Sequence, residues 1–322
     1  MLKICVIDRP DAADDPRIGQ LEGRCSLQRI LPAGLSEVSA DTEVAFIRAG
    51  YWNEIDALLD LAPALRWVHV TMAGVDHLIT DRFVASGVTL TNSQGVLDDA
   101  IAEFTVASAL MWSKGLVRSA HDTKSRESNY RELLGNDELR ALIIGAGGIG
   151  TACATALRRV GVSSVAGVRR SARPLDPAVF DATLAFSDLP TKVGEYSVVV
   201  AALPATSETE GALDRTIFDA LAQQSVFINV GRGVTADNVA LANAMKARPE
   251  AAAILDVTDP EPLPRDHPLW DCANVVISPH MSGDTANRHA KFTDLFLENL
   301  SRYESGLDLM NQVDLRSGYG AA

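Results

Sequence analysis

The chain has 322 residues, 47% of them hydrophobic and 22% charged, with a formal net charge of −13. That length accommodates two domains with sizeable cores, and the composition is that of an ordinary globular protein. The acidic balance excludes nucleic acid and anionic membrane as main partners, so an anionic ligand needs a local basic site.

The first ten residues hold an apolar run too brief for a signal peptide. Strands are expected at residues 2–7, 42–47, 66–70 and 88–91, with a helical stretch at 53–61. Short apolar runs separated by helices imply a parallel sheet. The strand at 66–70 leads into Ala73-Gly74-Val-Asp76.

Residues 98–118 form the longest helical pattern. Ile101, Phe104, Met111 and Trp112 share a face with Thr105 and Ser108, and Asp98 and Asp99 lie where the helix dipole favours acids. Val106, Ala109 and Leu110 make the remaining surface apolar too. Two readings stay open: a helix that joins two domains and packs on a second subunit, or a plain core helix. Residues 119–138 are polar and read as a loop or surface segment.

A second alternating block begins at Leu139. Its strands are expected at 141–144, 164–168, 197–201, 226–230, 253–257 and 275–277. Six strands with helices between them match a dinucleotide-binding domain. The tail at 286–303 is amphipathic, with Phe292, Leu295, Phe296 and Leu300 on one face, and should pack back on the N-terminal domain. No run approaches the roughly 18 apolar residues of a membrane span. Cys5, Cys25, Cys153 and Cys272 form no C-x-x-C pair, so neither disulfide frame nor zinc site is expected, and a reducing cytoplasm fits.

Gly145-Ala-Gly147-Gly148-Ile149-Gly150 follows one strand and opens a helix. Gly145 permits a tight turn, Gly147 lets backbone approach a pyrophosphate, and Gly150 lets helix and strand pack closely. At the end of the next strand an acid would bind a ribose 2′-hydroxyl, whereas arginine suits a 2′-phosphate. Here Arg169-Arg170-Ser171 stands there, with no acid before Asp176. NADP(H) is therefore the expected cofactor, with NAD(H) as the alternative.

Three more groups follow apolar runs at 225–230, 251–257 and 274–277: Arg232, Glu261 and His280. In an open α/β sheet the ligand crevice lies at the carboxyl ends of the strands. A cation, a carboxylate and an imidazole at one edge, beside a dinucleotide, suit hydride transfer to a carbonyl next to a carboxylate. Each taken singly would be an ordinary turn residue.

These motifs in this order resemble the D-isomer-specific 2-hydroxyacid dehydrogenases, especially their glyoxylate/hydroxypyruvate reductase-like members. The resemblance runs from Gly74-Val-Asp76 to Val313-Asp314 and Gly318-Tyr319. It passes through Ala100-Ile-Ala-Glu103, the glycine loop, Leu203-Pro-Ala-Thr206, Asn229-Val-Gly-Arg-Gly233, Asp256-Val257, Glu261-Pro-Leu-Pro264, His267-Pro-Leu-Trp270 and Ser278-Pro-His280. It implies two Rossmann-like or flavodoxin-like α/β domains with parallel sheets. A substrate domain of residues 1–98 plus 286–322 and a cofactor domain of residues 99–285 would close on an active-site cleft. Arg232 would grip the substrate carboxylate and polarise its keto oxygen. His280 would donate the proton, and Glu261 would hydrogen-bond His280 and favour its imidazolium form. Ala73 and Gly74 would offer backbone N–H groups to the carboxylate. Asp256 would hold the nicotinamide amide, Val230 and Gly231 would contact the nicotinamide side, and Leu203, Pro204 and Thr209 would underlie the adenosine and phosphates. Trp270 and Met281 read as pocket lining or, more simply, as core. His69, His77, His121, His267 and His289 read as structural or solvated.

The chain departs from the pattern in places. The usual Leu-x-Gly-Lys lead into the first cofactor-domain strand is shortened to Glu138-Leu-Arg-Ala-Leu142. Tyr130 lies near a position where tryptophan is common. The regulatory C-terminal domain of many phosphoglycerate dehydrogenases is not expected here, and Glu261 argues against formate dehydrogenase activity, where glutamine is typical. The expected activity is NADPH-preferring reduction of a small 2-ketoacid, by a cytoplasmic homodimer. The alternatives are a family dehydrogenase for a larger or branched 2-ketoacid, decided by loops 48–51 and 72–76, and a dinucleotide sensor with little turnover.

Overall fold

The computed structural model describes residues 1–9, 15–49, 52–170, 174–315 and 319–320. Gly50, Tyr51, Ser171 and Gly318, named above, lie outside the described residues. The chain divides into two compact units, Met1–Val96 with Thr285–Ala322, and Leu97–Asp284.

The first unit holds five parallel strands: β1 (Lys3–Ile7), β2 (Ser26–Ile30), β3 (Val44–Ile47), β4 (Trp67–Val70) and β5 (Thr89–Thr91). Their order is β2-β1-β3-β4-β5, the flavodoxin-like arrangement. β3 and β4 are buried at every position because helices cover both faces of a parallel sheet. β2 was not expected from the sequence. Its Ser-Leu-Gln-Arg-Ile is largely polar because it forms an edge of the sheet. The tail helix Arg288–Glu304 belongs to this unit. Its Phe296 stacks on Phe46 with ring centroids 4.1 Å apart, and also on Trp67, which in turn stacks on Tyr303.

His69 lies fully inside this aromatic cluster, its Nδ1 2.7 Å from Thr91 Oγ1. Burial pulls its pKa down to about 3. The unfolded chain binds a proton near pH 6.5 that the native state refuses. Stability contributed by neutral His69 is thus intact above that pH. It is lost at about 1.4 kcal/mol per pH unit as pH falls from about 6.5 towards 3. His69→Asn is expected to be less stable at pH 8 but to show a shallower decline between pH 6.5 and 4. Urea melts at several pH values check this, and parallel declines would contradict it.

The second unit is a seven-stranded parallel sheet: β6 (Arg140–Ile144), β7 (Ser164–Arg169), β8 (Ala182–Ala185), β9 (Val198–Ala201), β10 (Val226–Asn229), β11 (Ala252–Leu255) and β12 (Val275–Ile277). The order β12-β11-β10-β9-β6-β7-β8 is the doubly wound nucleotide-binding order with one added strand. β8, an alanine-bounded edge strand, is the one the sequence did not signal. Pairing of Ile144 with Val168 and Ala201, and of Leu255 with Asn229 and Ile277, brings the carboxyl ends to one level. Six loops therefore start from a common edge.

The helix expected over 98–118 ends earlier. It spans Asp98–Ser113, Gly115 turns the chain at φ 68°, and a second helix runs Leu116–Ser125. Of the loop or surface segment expected from 119, the first part is thus a surface helix. It buries only Val117 and Asp122, so its sequence carries little apolar period. The first helix packs on Gly148–Arg159, where Thr105 Oγ1 meets Cys153 Sγ at 3.3 Å, which supports the core-helix reading. All four cysteines are buried free thiols, with Cys5 pushed up to about 12 and Cys153 to about 11 by burial. Among the described residues, no helix is long and apolar enough to cross a membrane.

Candidate active site

The glycine loop leaves β6, between β9 and β7 inside the second sheet. Gly145 has φ 100°, and a Cβ there would stand 2.6 Å from the Ala202 carbonyl oxygen. A Cβ on Gly150 would stand 2.1 Å from the Gly145 oxygen. Both positions therefore require glycine for packing. Gly147 differs: nothing lies within 4 Å of the place its Cβ would take. Gly147 and Gly148 are exposed at the start of the helix Gly148–Arg159, and Ile149 is half-buried. The open space beside Gly147, at the start of a twelve-residue helix, fits a pyrophosphate, and the Asp98 carboxylate stands on the Gly148 side, 2.6 Å from the place a Cβ there would take.

Two loops flank this one. Arg169 ends β7 half-buried, and the exposed Arg170 pairs its guanidinium with Glu208. After β9, Leu203 is buried and Pro204 exposed. Thr209 Oγ1 donates to the Pro204 carbonyl and accepts from Thr206 N at 2.9 Å, so Thr209 closes its own loop.

The catalytic candidates follow three adjacent strands. Val230 and Gly231 are buried after β10. Asn229 Oδ1 accepts from Gly231 N at 3.1 Å, and Thr235 Oγ1 donates to the Arg232 carbonyl at 2.6 Å. This bracing fixes the Arg232 backbone. Its Nη1 donates to the Gly231 carbonyl at 2.8 Å, one of five guanidinium N–H groups. After β11, the chain reaches Glu261 through Thr258, against which Gly233 is packed so closely that a Cβ would be 1.9 Å from the Thr258 oxygen. After β12, His280 adopts φ 52° and its N–H reaches the Asp256 carbonyl at 2.9 Å. Its Nδ1 lies 2.8 Å from Glu261 Oε1. A carboxylate only accepts, so Nδ1 carries the hydrogen and Nε2 is left for chemistry.

Asp256 is almost wholly buried, and its carboxylate is engaged within the protein. Oδ1 accepts from Ser278 Oγ at 2.6 Å and Met281 N at 2.8 Å, while Oδ2 accepts from Ser282 N at 3.0 Å. Asp256 thus anchors the turn that presents His280. Ser278 and Asn229 share in this bracing. Both stood in recognised motifs, and their short polar side chains at strand ends were the available signal.

Ala73 and Gly74 belong to the first unit, where Asn92 Nδ2 donates to the Ala73 carbonyl at 2.7 Å. Arg48 is buried and paired with Asp8 at 2.7 Å. Trp270 and Met281 are about half exposed, which corrects the simpler core reading. His267 caps a short helix by accepting from Leu269 N.

Comparison with known proteins gives the family and the fold. A sequence model described as "D-isomer specific 2-hydroxyacid dehydrogenase, NAD binding domain" matches residues 106–282. A glyoxylate reductase/hydroxypyruvate reductase of Mus musculus is 33% identical over 249 residues, covering 76% of this chain and 75% of its own. The solved structure of a D-isomer specific 2-hydroxyacid dehydrogenase from Xanthobacter autotrophicus Py2, in complex with NADPH and MES, aligns with TM-score 0.81 at 27% identity, over 98% of this chain and 99% of that one. An NADPH-dependent glyoxylate/hydroxypyruvate reductase from Sinorhizobium meliloti, in complex with NADP and sulfate, aligns with TM-score 0.79 at 25% identity, over 98% and 100%.

Proposed function

The chain belongs to the D-isomer specific 2-hydroxyacid dehydrogenase family, and on that premise we propose that it reduces a small 2-ketoacid, of the glyoxylate or hydroxypyruvate type, to the D-2-hydroxyacid, preferring NADPH and acting as a homodimer. The observation that carries the chemistry is the His280–Glu261 hydrogen bond, set at the same sheet edge as the Arg232 loop.

NADPH, when bound, supplies hydride to the substrate C2. The protein supplies the rest. The planar Arg232 fork holds a carboxylate and polarises the neighbouring keto oxygen. Glu261 fixes the imidazole tautomer, and His280 Nε2 delivers a proton to that oxygen. Asp256 holds the turn from which the imidazole projects. Arg169 and Arg170 support the NADPH preference, since a 2′-phosphate suits guanidinium groups and the turn after β7 carries no acid of its own before Asp176. The relatives named as glyoxylate and hydroxypyruvate reductases support the small substrate.

Initial rates of NADPH and NADH oxidation with glyoxylate, hydroxypyruvate, pyruvate and 2-ketoisovalerate test this reading. Fast NADPH turnover on the two smallest substrates is expected. Turnover with NADH alone would discard the cofactor preference, and turnover only on 2-ketoisovalerate would discard the small substrate. Binding of NADPH with no turnover of any ketoacid would contradict the reductase reading.

A further inference from the structure

An ion pair crosses the mouth of the glycine loop. β6 lies between β7 and β9, and Ile144 is level with Val168 on one side and Ala201 on the other. The glycine loop therefore emerges between the loops that follow β7 and β9. Strand spacing sets those two loops about 10 Å apart at their origins. Arg170 on one and Glu208 on the other meet across that interval. Their side chains are 84% and 63% exposed, and pairs this exposed add little to stability, so the link opens readily.

Glu208 offers Arg170 one negative charge. A nucleotide 2′-phosphate offers close to two, with three strong acceptor oxygens. The phosphate is the stronger partner for the same guanidinium.

We propose that Glu208 is a specificity residue of the cofactor site: it holds Arg170 while the site is free and yields it to a 2′-phosphate. This rests on the NADPH reading above. A ligand carrying the phosphate exchanges one anion on Arg170 for another, and Glu208 then opposes that ligand by competition and by charge repulsion. A ligand without the phosphate gains nothing from Arg170. Neutralising Glu208 should therefore favour only ligands that carry a 2′-phosphate.

Calorimetry of the full chain at low salt, with adenosine 2′,5′-bisphosphate and adenosine 5′-monophosphate, tests this without turnover. Wild type should bind the bisphosphate more tightly. Glu208→Gln should tighten it roughly three- to tenfold and leave the monophosphate within about twofold, with the gain shrinking as salt screens the charges. Glu210→Gln removes an equal charge from the same loop and should change neither ligand. Wild type that fails to distinguish the two ligands would overturn the NADPH reading and this proposal together. Discrimination in wild type with no gain in Glu208→Gln would overturn the role of Glu208 alone. Equal tightening of both ligands, or the same gain in Glu210→Gln, would reduce the effect to net charge and also overturn it.

Discussion

His280→Ala is expected to lower kcat for ketoacid reduction by a factor of about 10²–10⁴ while leaving NADPH affinity within a few-fold. In the proposed reaction the imidazole donates the proton to the forming alkoxide through Nε2, its Nδ1 being committed to Glu261. That pair follows β11 and β12, whereas the glycine loop and the adenosine-side loops follow β6, β7 and β9, so cofactor binding should be spared. Arg232→Ala should instead raise KM together with a fall in kcat, because in the proposed reaction the same guanidinium holds the carboxylate and stabilises charge on the keto oxygen. Fluorescence titration with NADPH and steady-state kinetics separate these outcomes. Turnover left intact in both variants would remove the catalytic assignment.

Gly233→Ala is expected to combine the largest loss of stability with a loss of activity. An added Cβ would sit 1.9 Å from the Thr258 oxygen, 2.1 Å from its carbonyl carbon and 2.8 Å from Asp259 N. These are backbone atoms and cannot swing aside as a side chain would. The β10 and β11 loops must separate, at a cost on the order of 3 kcal/mol. Arg232 rides on one of these loops and Glu261 on the other. A displacement of about 1 Å can cost 10²-fold in rate, so kcat/KM should fall even where the fold survives. Gly19→Ala is the control, since nothing lies within 4 Å of its Cβ position, and it should stay within about 0.5 kcal/mol. Denaturant melts and kcat/KM measured on both variants decide the matter. Equal stability of the two would show that the loops accommodate the methyl group.

The parts of the molecule legible in the sequence are those where burial and chemistry coincide. Buried parallel strands such as Val198–Ala201 and Val226–Asn229 are unbroken apolar runs, and a charged group directly after such a run stands out. Arg232, Glu261 and His280 were visible on that ground. Two edge strands were not: Ser26–Ile30 and Ala182–Ala185 bury too little to show a pattern. The helix Leu116–Ser125 escaped notice for the same reason. The break before it depends on one positive φ at Gly115, which a sequence pattern does not announce.

Partnership was the least legible property. Asp256 was singled out for the nicotinamide amide, but its bracing partners were not visible: its carboxylate oxygens meet Ser278, Met281 and Ser282, residues more than twenty positions away in sequence. Arg170 was visible as a cation, but Glu208 comes to it from a loop two strands across the sheet. Such pairings follow from strand order, which spacing along the chain does not reveal.

The backbone of His280 places fold and chemistry in opposition. At φ 52° it occupies a left-handed conformation that costs an L-residue about 1–2 kcal/mol and that glycine enters freely. Selection for thermal resilience alone would drift this position towards glycine. Only selection for turnover would retain an imidazole there. Position 280 therefore records which pressure a lineage has been under, and a variant library sorted by heat survival alone would favour glycine over the proposed proton donor.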